Sequence, residues 1–341
     1  MLADRLRSSF ALILGTAAFL YLDARYHTEG AGGLFLIPLL LFFVFGTASD
    51  LTGLVTQAGF PVHRMVTVGG AILVALSPSI VMIWNASSWV MPQSVSPYPV
   101  NCPIGQVGWI AISLGFIVGT LFLCEMKDYS SESDTDLVLR RLLAGIFIVA
   151  YLGVLMSFLV LIRSLGTGNW GLAALLTMIA TTKSTDIGAY FTGKAIGRRK
   201  LIPRLSPGKT WEGAIGGVVV ATIVAMLCLQ FLFPAVLDGF GEPEARPDVL
   251  IETPLGNVEF SGLIPRAIPT PAVPPIWLAF VLGPVLAISG MVGDLAESLV
   301  KRACHSKDSG DWLPGMGGVW DVTDSLIFAA LPSFLCFVAA A

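Results

Sequence analysis

Nine apolar stretches recur along the chain, at about 10–22, 33–48, 66–85, 107–125, 142–163, 170–182, 214–236, 276–293 and 319–340. No other feature limits the fold so strongly. Of 341 residues, 55% are hydrophobic and 13% charged, whereas a soluble domain carries about 25% charge. That much apolar surface cannot be hidden in one globular core, so a bilayer is the natural solvent. Each stretch is a candidate transmembrane helix, since a membrane core of about 30 Å takes roughly 20 residues to cross. The expected fold is all-α: a polytopic membrane protein of about nine spans with a polar site on the cytoplasmic side. Stretch 170–182 is short and either continues through DIGAYFTGKAIG or ends inside the protein. The first stretch follows Arg5 and Arg7, has no clear small-x-small cleavage site and precedes eight others, so it reads as an uncleaved helix.

Charge tests the count. With the N-terminus in the cytoplasm, the cytoplasmic segments are 1–9, 49–65, 126–141, 183–213 and 294–318. These hold 16 of the 20 Lys and Arg residues. Arg25, Arg163, Arg246 and Arg266 fall on the other side. That asymmetry is what the positive-inside rule requires, and losing one helix would reverse every later loop. The net charge of -3 says little, because charges act locally in a membrane protein. Five cysteines without a CxxC pair and three scattered histidines suggest neither a disulfide framework nor a zinc site. Segment 128–137 reads as a solvated acidic loop, and 237–275, rich in Pro and acidic residues, as an irregular loop or small cap.

Two cytoplasmic loops hold nearly all the unusual residues. The first, from Asp186 to Glu212, carries Lys194, Arg198, Arg199, Lys200, Arg204 and Lys209. Such cations anchor to anionic lipid heads or hold phosphates. Within it, Ser206-Pro207-Gly208-Lys209-Thr210 reads as a tight turn bearing an ammonium and two hydroxyls, with Glu212 following. These donors suit a polyphosphate. A P-loop is excluded, because the glycine required five residues before Gly208 is Pro203.

The second loop runs from Gly293 to Asp324. If 286–302 is helical, Asp294, Glu297, Ser298 and Lys301 share one face. That face is either an amphipathic helix end or a metal-and-phosphate surface. Lys307 and Asp308 follow, then Gly310, Pro314, Gly315, Gly317 and Gly318, where backbone can approach a ligand and offer N–H donors. Asp321 and Asp324 lie a turn apart at a helix N-terminus, where the dipole favours a carboxylate by about 0.3–1 kcal/mol. With Asp294 and Asp186 also at helix ends on that side, four carboxylates would repel one another without a cation. An all-oxygen, sulfur-free set favours a hard ion, foremost Mg²⁺.

From Ser298 to Asp324 the chain reads S-L-V-K-R-x4-K-D-x-G-x2-L-P-G-M-G-G-V-x-D-V-T-D. This resembles the C-terminal motif of phosphatidate cytidylyltransferases (CDP-diacylglycerol synthases), S-x-x-K-R-x4-K-D-x-[GSA]-x2-[LIF]-[PG]-x-H-G-G-x-x-D-R-x-D. SPGKTWEG (206–213), TDIGAYFTGKAIGRRK (185–200) and GDLAES (293–298) also look like that family. The resemblance covers the C-terminal half, from about 180 onward. Met316 stands where the pattern has His, and Val322 where it has Arg.

The resemblance implies transfer of cytidylyl from CTP to phosphatidic acid, giving CDP-diacylglycerol and pyrophosphate for phospholipid synthesis. It implies Mg²⁺, with a monovalent cation such as K⁺ beside it, and no nucleic acid. It also implies a homodimer in the bacterial inner membrane, with the site facing the cytoplasm. Residues 1–165 would then be scaffold, dimer or lipid-facing helices, and 166–341 the catalytic region. Asp294 and Asp324 would bind metal with Asp321 assisting; Lys301, Arg302 and Lys307, beside Asp308, would hold phosphates. Ser206, Lys209 and Thr210 would hold the triphosphate, and Asp186 and Glu212 would orient cations or donors. Ser298, Gly317 and Gly318 would line the substrate site. Three rivals fit parts of the pattern: a CTP-dependent lipid-alcohol kinase, an ion-coupled transporter, and an inactive relative acting as a membrane scaffold.

Overall fold

The computed structural model describes residues 2–27, 30–92, 94–99, 102–129, 135–240, 249–253, 256–260, 273–315 and 317–340. Met316, much of the acidic loop and most of 237–275 lie outside these. Helix α1 (Leu2–Tyr26) is followed by α2 (Ile37–Gln57), α3 (Arg64–Leu76), α4 (Ser79–Val90) and α5 (Gly105–Asp128). Helix α6 (Thr135–Ile148) runs through a π-helical turn, Val149–Val154, into α7 (Leu155–Arg163). Next come α8 (Trp170–Ile196), a hairpin of β1 (Lys200–Ile202) and β2 (Ser206–Thr210), and α9 (Trp211–Leu227). A second π-helical turn leads to α10 (Phe233–Gly239); a hairpin of β3 (Val249–Thr253) and β4 (Gly256–Phe260) precedes α11 (Ala279–Ala303) and α12 (Trp320–Ala340).

Among the described residues, six helical segments are long and apolar enough to cross a membrane, or seven if α3 and α4 count as one broken span. The stretch 66–85 is therefore not one straight helix: α3 and α4 meet at a 60° bend. Pro78 lies at that bend and has no N–H to continue the α3 ladder. The Ser77 hydroxyl donates instead to the Val74 carbonyl (2.8 Å). Helix α8 resolves the short stretch 170–182, because it continues through DIGAYFTGKAI for 27 residues in all. The polar run Thr181–Asp186 keeps it out of the apolar six.

The core crosses the boundary at residue 165. Ala24, Leu36 and Ile162 join a cluster with Trp170 of α8, Phe233 of α10 and Phe337 of α12, where Trp170 meets the two phenyl rings edge-on at centroid distances of 5.3 and 5.8 Å. A second cluster joins Val44, Ala48 and Leu51 of α2 to Trp320 and Ile327 of α12. There the Thr47 and Thr323 hydroxyls bond at 2.9 Å, so the N-terminal helices buttress the last one.

Besides the Thr47–Thr323 bond, polar contacts between elements form two separate groups. In one, Ser8 donates to the Pro314 carbonyl (3.1 Å), and His63 and Arg141 meet Glu125 at 2.8 and 3.4 Å. In the other, the Arg163 guanidinium pairs with Asp23 (2.6 Å), both fully buried. Asn85 donates to the Gly30 carbonyl and Ser164 to Gln106 there.

Candidate active site

Helices α11 and α12 cross where glycine lets backbones touch. A Cβ built on Gly293 would lie 2.5 Å from the Asp324 carbonyl oxygen. This contact brings the next α11 turn, Asp294 and Glu297, beside Asp324 at the start of α12. One ligand oxygen from each of Asp294, Glu297 and Asp324 lies within 4.8 Å of the others. Glu297 and Asp324 are buried and Asp294 half-buried. Three carboxylates so close would repel strongly in a low-dielectric site. Three lysines answer them. Lys209 pairs with Asp294, Lys301 stands 3.1 Å from Glu297, and Lys183 lies 4.0 Å from Asp324.

The second loop wraps over this cluster. Asp321 does not join the three-carboxylate group; its Oδ1 accepts from Lys301 (2.7 Å). Its Oδ2 accepts from the Ser309 N–H (3.1 Å), the Ser309 hydroxyl (2.7 Å) and the Gly318 N–H (2.8 Å). Asp321 therefore ties the glycine-rich loop to α12. Gly317 makes that fold passable: it has φ of 97°, and a Cβ there would meet Asp321 Oδ2 at 2.7 Å. Its backbone pairs with Leu313 in both directions.

The first loop supplies the opposite wall. Ser206–Thr210 is a strand paired with Lys200–Ile202, with the turn at Pro203–Leu205, where Leu205 N–H donates to the Ile202 carbonyl (3.1 Å). The tight turn read at Pro207–Gly208 is thus extended backbone, and the preceding proline makes the turn instead. The hairpin carries Lys209 out to Asp294. Thr210 ends the strand and caps α9, its Oγ1 accepting from the Gly213 N–H (3.1 Å). Glu212 faces the other way and accepts from the N–H groups of Arg198 (3.0 Å) and Arg199 (3.2 Å), fixing the turn out of α8.

Between these walls lies a cleft of about 550 Å³. Asp186, Lys209, Thr210, Asp294, Asp321 and Asp324 line it, together with Lys183, Tyr190 and Lys194. The structure thus gathers one part of the sequence set. Ser206, Glu212 and Ser298 fall outside the lining. Arg302 is exposed and donates to the Ser306 carbonyl (3.3 Å). Lys307 and Asp308 line a different cleft, with Ser49, Asp50 and Gln57 of α2.

Three residues at or beside the site are not singled out by sequence reasoning. Glu297 lies on the face that the sequence leaves open between an amphipathic helix end and a metal-and-phosphate surface, and it is not among the expected site residues; it is 2% exposed and faces Asp324. Lys183 sits in an otherwise uncharged run; its position three residues before Asp186, on the same helix face, is the available signal. Asp50 is a third case: it is buried and accepts from the Trp320 N–H (3.2 Å), steadying the start of α12 from α2.

Comparison with known proteins follows the same lines. A phosphatidate cytidylyltransferase of Brucella suis is 35% identical over 192 residues, which is 56% of this chain and 55% of that protein. That of Bacillus subtilis is 34% identical over 190 residues, with the same coverage. That of Haemophilus influenzae is 35% identical over 167 residues, 49% of this chain and 46% of that protein. The chain spans about half the length of these curated relatives. The model of the cytidylyltransferase family matches residues 4–340. With that match running almost end to end, the chain belongs to the cytidylyltransferase family.

Proposed function

We propose that the chain transfers cytidylyl from CTP to phosphatidic acid, releasing pyrophosphate and leaving CDP-diacylglycerol in the membrane. The observation that carries this is the meeting of Asp294, Glu297 and Asp324 beside Lys209. The relatives named phosphatidate cytidylyltransferase support the choice of substrates.

In this reaction a phosphate oxygen of phosphatidate forms a bond to the α-phosphorus of CTP. The bond from that phosphorus to the β-phosphate bridging oxygen breaks. Both reactants are anions, so the barrier is largely their repulsion, and catalysis consists of positioning and charge neutralisation. The three carboxylates fit a hard divalent cation: all donors are oxygen, and their ligand atoms are already gathered. We assign Mg²⁺ to Asp294, Glu297 and Asp324, where it would neutralise charge on the reacting phosphates. Lys209 then exchanges Asp294 for a CTP phosphate, carried by the short hairpin. Lys194, on the cleft wall, faces the same anions. Asp321 holds Lys301 and the glycine loop in place, so its role is positioning.

The nine-span topology belongs to the same proposal. The six apolar segments, the bent α3–α4 pair, α1 and α8 make nine. Contacts among the described residues support it: Ser8 reaches Pro314, His63 reaches Glu125 and Asp128, and Gln57 and Lys307 line one cleft, which draws the expected cytoplasmic segments toward one end. The excess of Lys and Arg in these segments orients that end, and the cleft, to the cytoplasm of a bacterial inner membrane. The homodimer is carried over from the resemblance.

The test is product identification. The purified full chain is incubated with labelled CTP, phosphatidate and Mg²⁺. The reading predicts a lipid-soluble cytidine product and one pyrophosphate per turnover. Release of CDP from a lipid alcohol would identify a kinase, and no CTP-dependent lipid product would refute the reading.

A further inference from the structure

Lys183 borders two cavities. One is the polar cleft. The other is an apolar groove of about 500 Å³ lined by α1, α2, α4, α7, α8 and α12, with Leu12, Leu40, Met156, Ile179 and Leu326 on its walls. The groove has almost no polar surface along its length. Among its lining residues two are charged, Lys183 at one end and Arg163 at the other. Arg163 is 3% exposed and its charge is matched by Asp23 at Nε, with Nη1 on the Gly168 carbonyl, so it is already paired with a carboxylate although Nη2 has no partner among the described residues. Lys183 is more open: its side chain is 36% exposed. Its ammonium donates to the Val322 carbonyl (2.9 Å) and the Ser325 hydroxyl (2.8 Å). An ammonium has three protons, so one donor remains for the cleft, at 4.0 Å from Asp324.

We propose that Lys183 binds the phosphate of the lipid substrate, with an acyl chain of that lipid lying in the apolar groove below it. The groove alone would accept any hydrocarbon. What selects the occupant is a cation at the junction of a hydrocarbon-lined cavity and a carboxylate-lysine cleft, which matches a phosphomonoester on an acylated glycerol. The sequence adds a second reason. At 322 the motif has Arg and this chain has Val, so α12 lacks a cation between its two aspartates. Lys183 is bonded to the carbonyl of that same residue. The charge missing from α12 arrives from α8, and the lipid phosphate keeps a cationic partner there. This inference rests on the lipid-phosphate reading of the site.

The test uses the full chain in mixed micelles, with CTP and phosphatidate varied separately. Lys183→Gln keeps an N–H donor for Val322 and Ser325 but removes the charge, and Lys183→Arg keeps the charge. Lys183→Gln is expected to raise the KM for phosphatidate at least tenfold while moving that for CTP less than twofold. Lys183→Arg should stay within a fewfold of wild type. Val322→Arg in the Lys183→Gln background should recover most of the loss. A readout independent of turnover is native mass spectrometry of phosphatidate against phosphatidylcholine. Wild type should prefer phosphatidate, and Lys183→Gln should bind the two alike. An unchanged phosphatidate preference in Lys183→Gln, or equal rises in both KM values, would overturn the proposal. A wild type that retains phosphatidate yet makes no cytidine lipid would refute the reaction and leave the lipid site standing.

Discussion

Gly293→Ala tests whether the crossing of α11 and α12 builds the site. The added Cβ would lie 2.5 Å from the Asp324 carbonyl oxygen and 3.1 Å from Ser325 Cα, both backbone atoms that cannot swing aside. Ordinary contact begins at 3.4 Å, so the helices must separate locally by about 0.9 Å. Overpacking of this kind costs about 1–3 kcal/mol, which lowers thermal stability without preventing folding. The larger effect falls on chemistry, because Asp294 moves with α11 while Asp324 stays on α12. A displacement of about 1 Å at a reacting centre can cost on the order of 100-fold in rate. The assay is conversion of labelled CTP to lipid product at saturating substrates, with thermal unfolding in detergent measured alongside. Gly119→Ala serves as control, since a Cβ there meets nothing within 4 Å. A Gly293→Ala protein with wild-type turnover would refute the claim that the close crossing sets the carboxylate spacing.

Two further perturbations separate scaffold from site. Asp23→Ala leaves the Arg163 guanidinium buried and unpaired, which should destabilise the protein by about 3–5 kcal/mol; at the far end of the bundle it should leave metal affinity in the folded protein unchanged. Thr210→Val removes the α9 cap at a cost of about 1 kcal/mol and should raise the KM for CTP by loosening the Lys209 hairpin, whereas Thr210→Ser should behave as wild type. Thermal unfolding and substrate titration check both.

What the sequence makes legible here is local. Apolar runs mark helices because lipid-facing and core-facing positions are both apolar, and a Gly-rich segment between charged ends marks a loop. That same uniformity hides the α3–α4 bend, since the apolar runs on either side of Ser77-Pro78-Ser79 read as one stretch. Contacts across long separations are a different matter. Asp321 and Asp324, three residues apart, invite one shared role. The glycine loop turns back and occupies Asp321 with Ser309 and Gly318, leaving Asp324 to Asp294 and Glu297. Lys307 follows Lys301 closely in the chain but faces Asp50 of α2 across a separate cleft. Glu297 lies on a face whose spacing suits a helix end and a metal-and-phosphate surface alike, and only the approach of α12 makes it interior. Lys183 acquires meaning only once α8 is laid beside Val322 and Ser325. The family motif places the chemistry in this half of the chain; which residues face one another is decided by helix crossings that no short motif encodes.

The central claim is that carboxylates from α11 and α12 jointly hold one divalent metal. Manganese(II) binding followed by electron paramagnetic resonance, with Mg²⁺ as competitor, addresses it without relying on turnover. The account predicts one Mn²⁺ per chain, displaced by Mg²⁺, and loss of that site in Asp294→Asn, Glu297→Gln and Asp324→Asn alike. Undiminished Mn²⁺ binding in any of these three folded variants would contradict it.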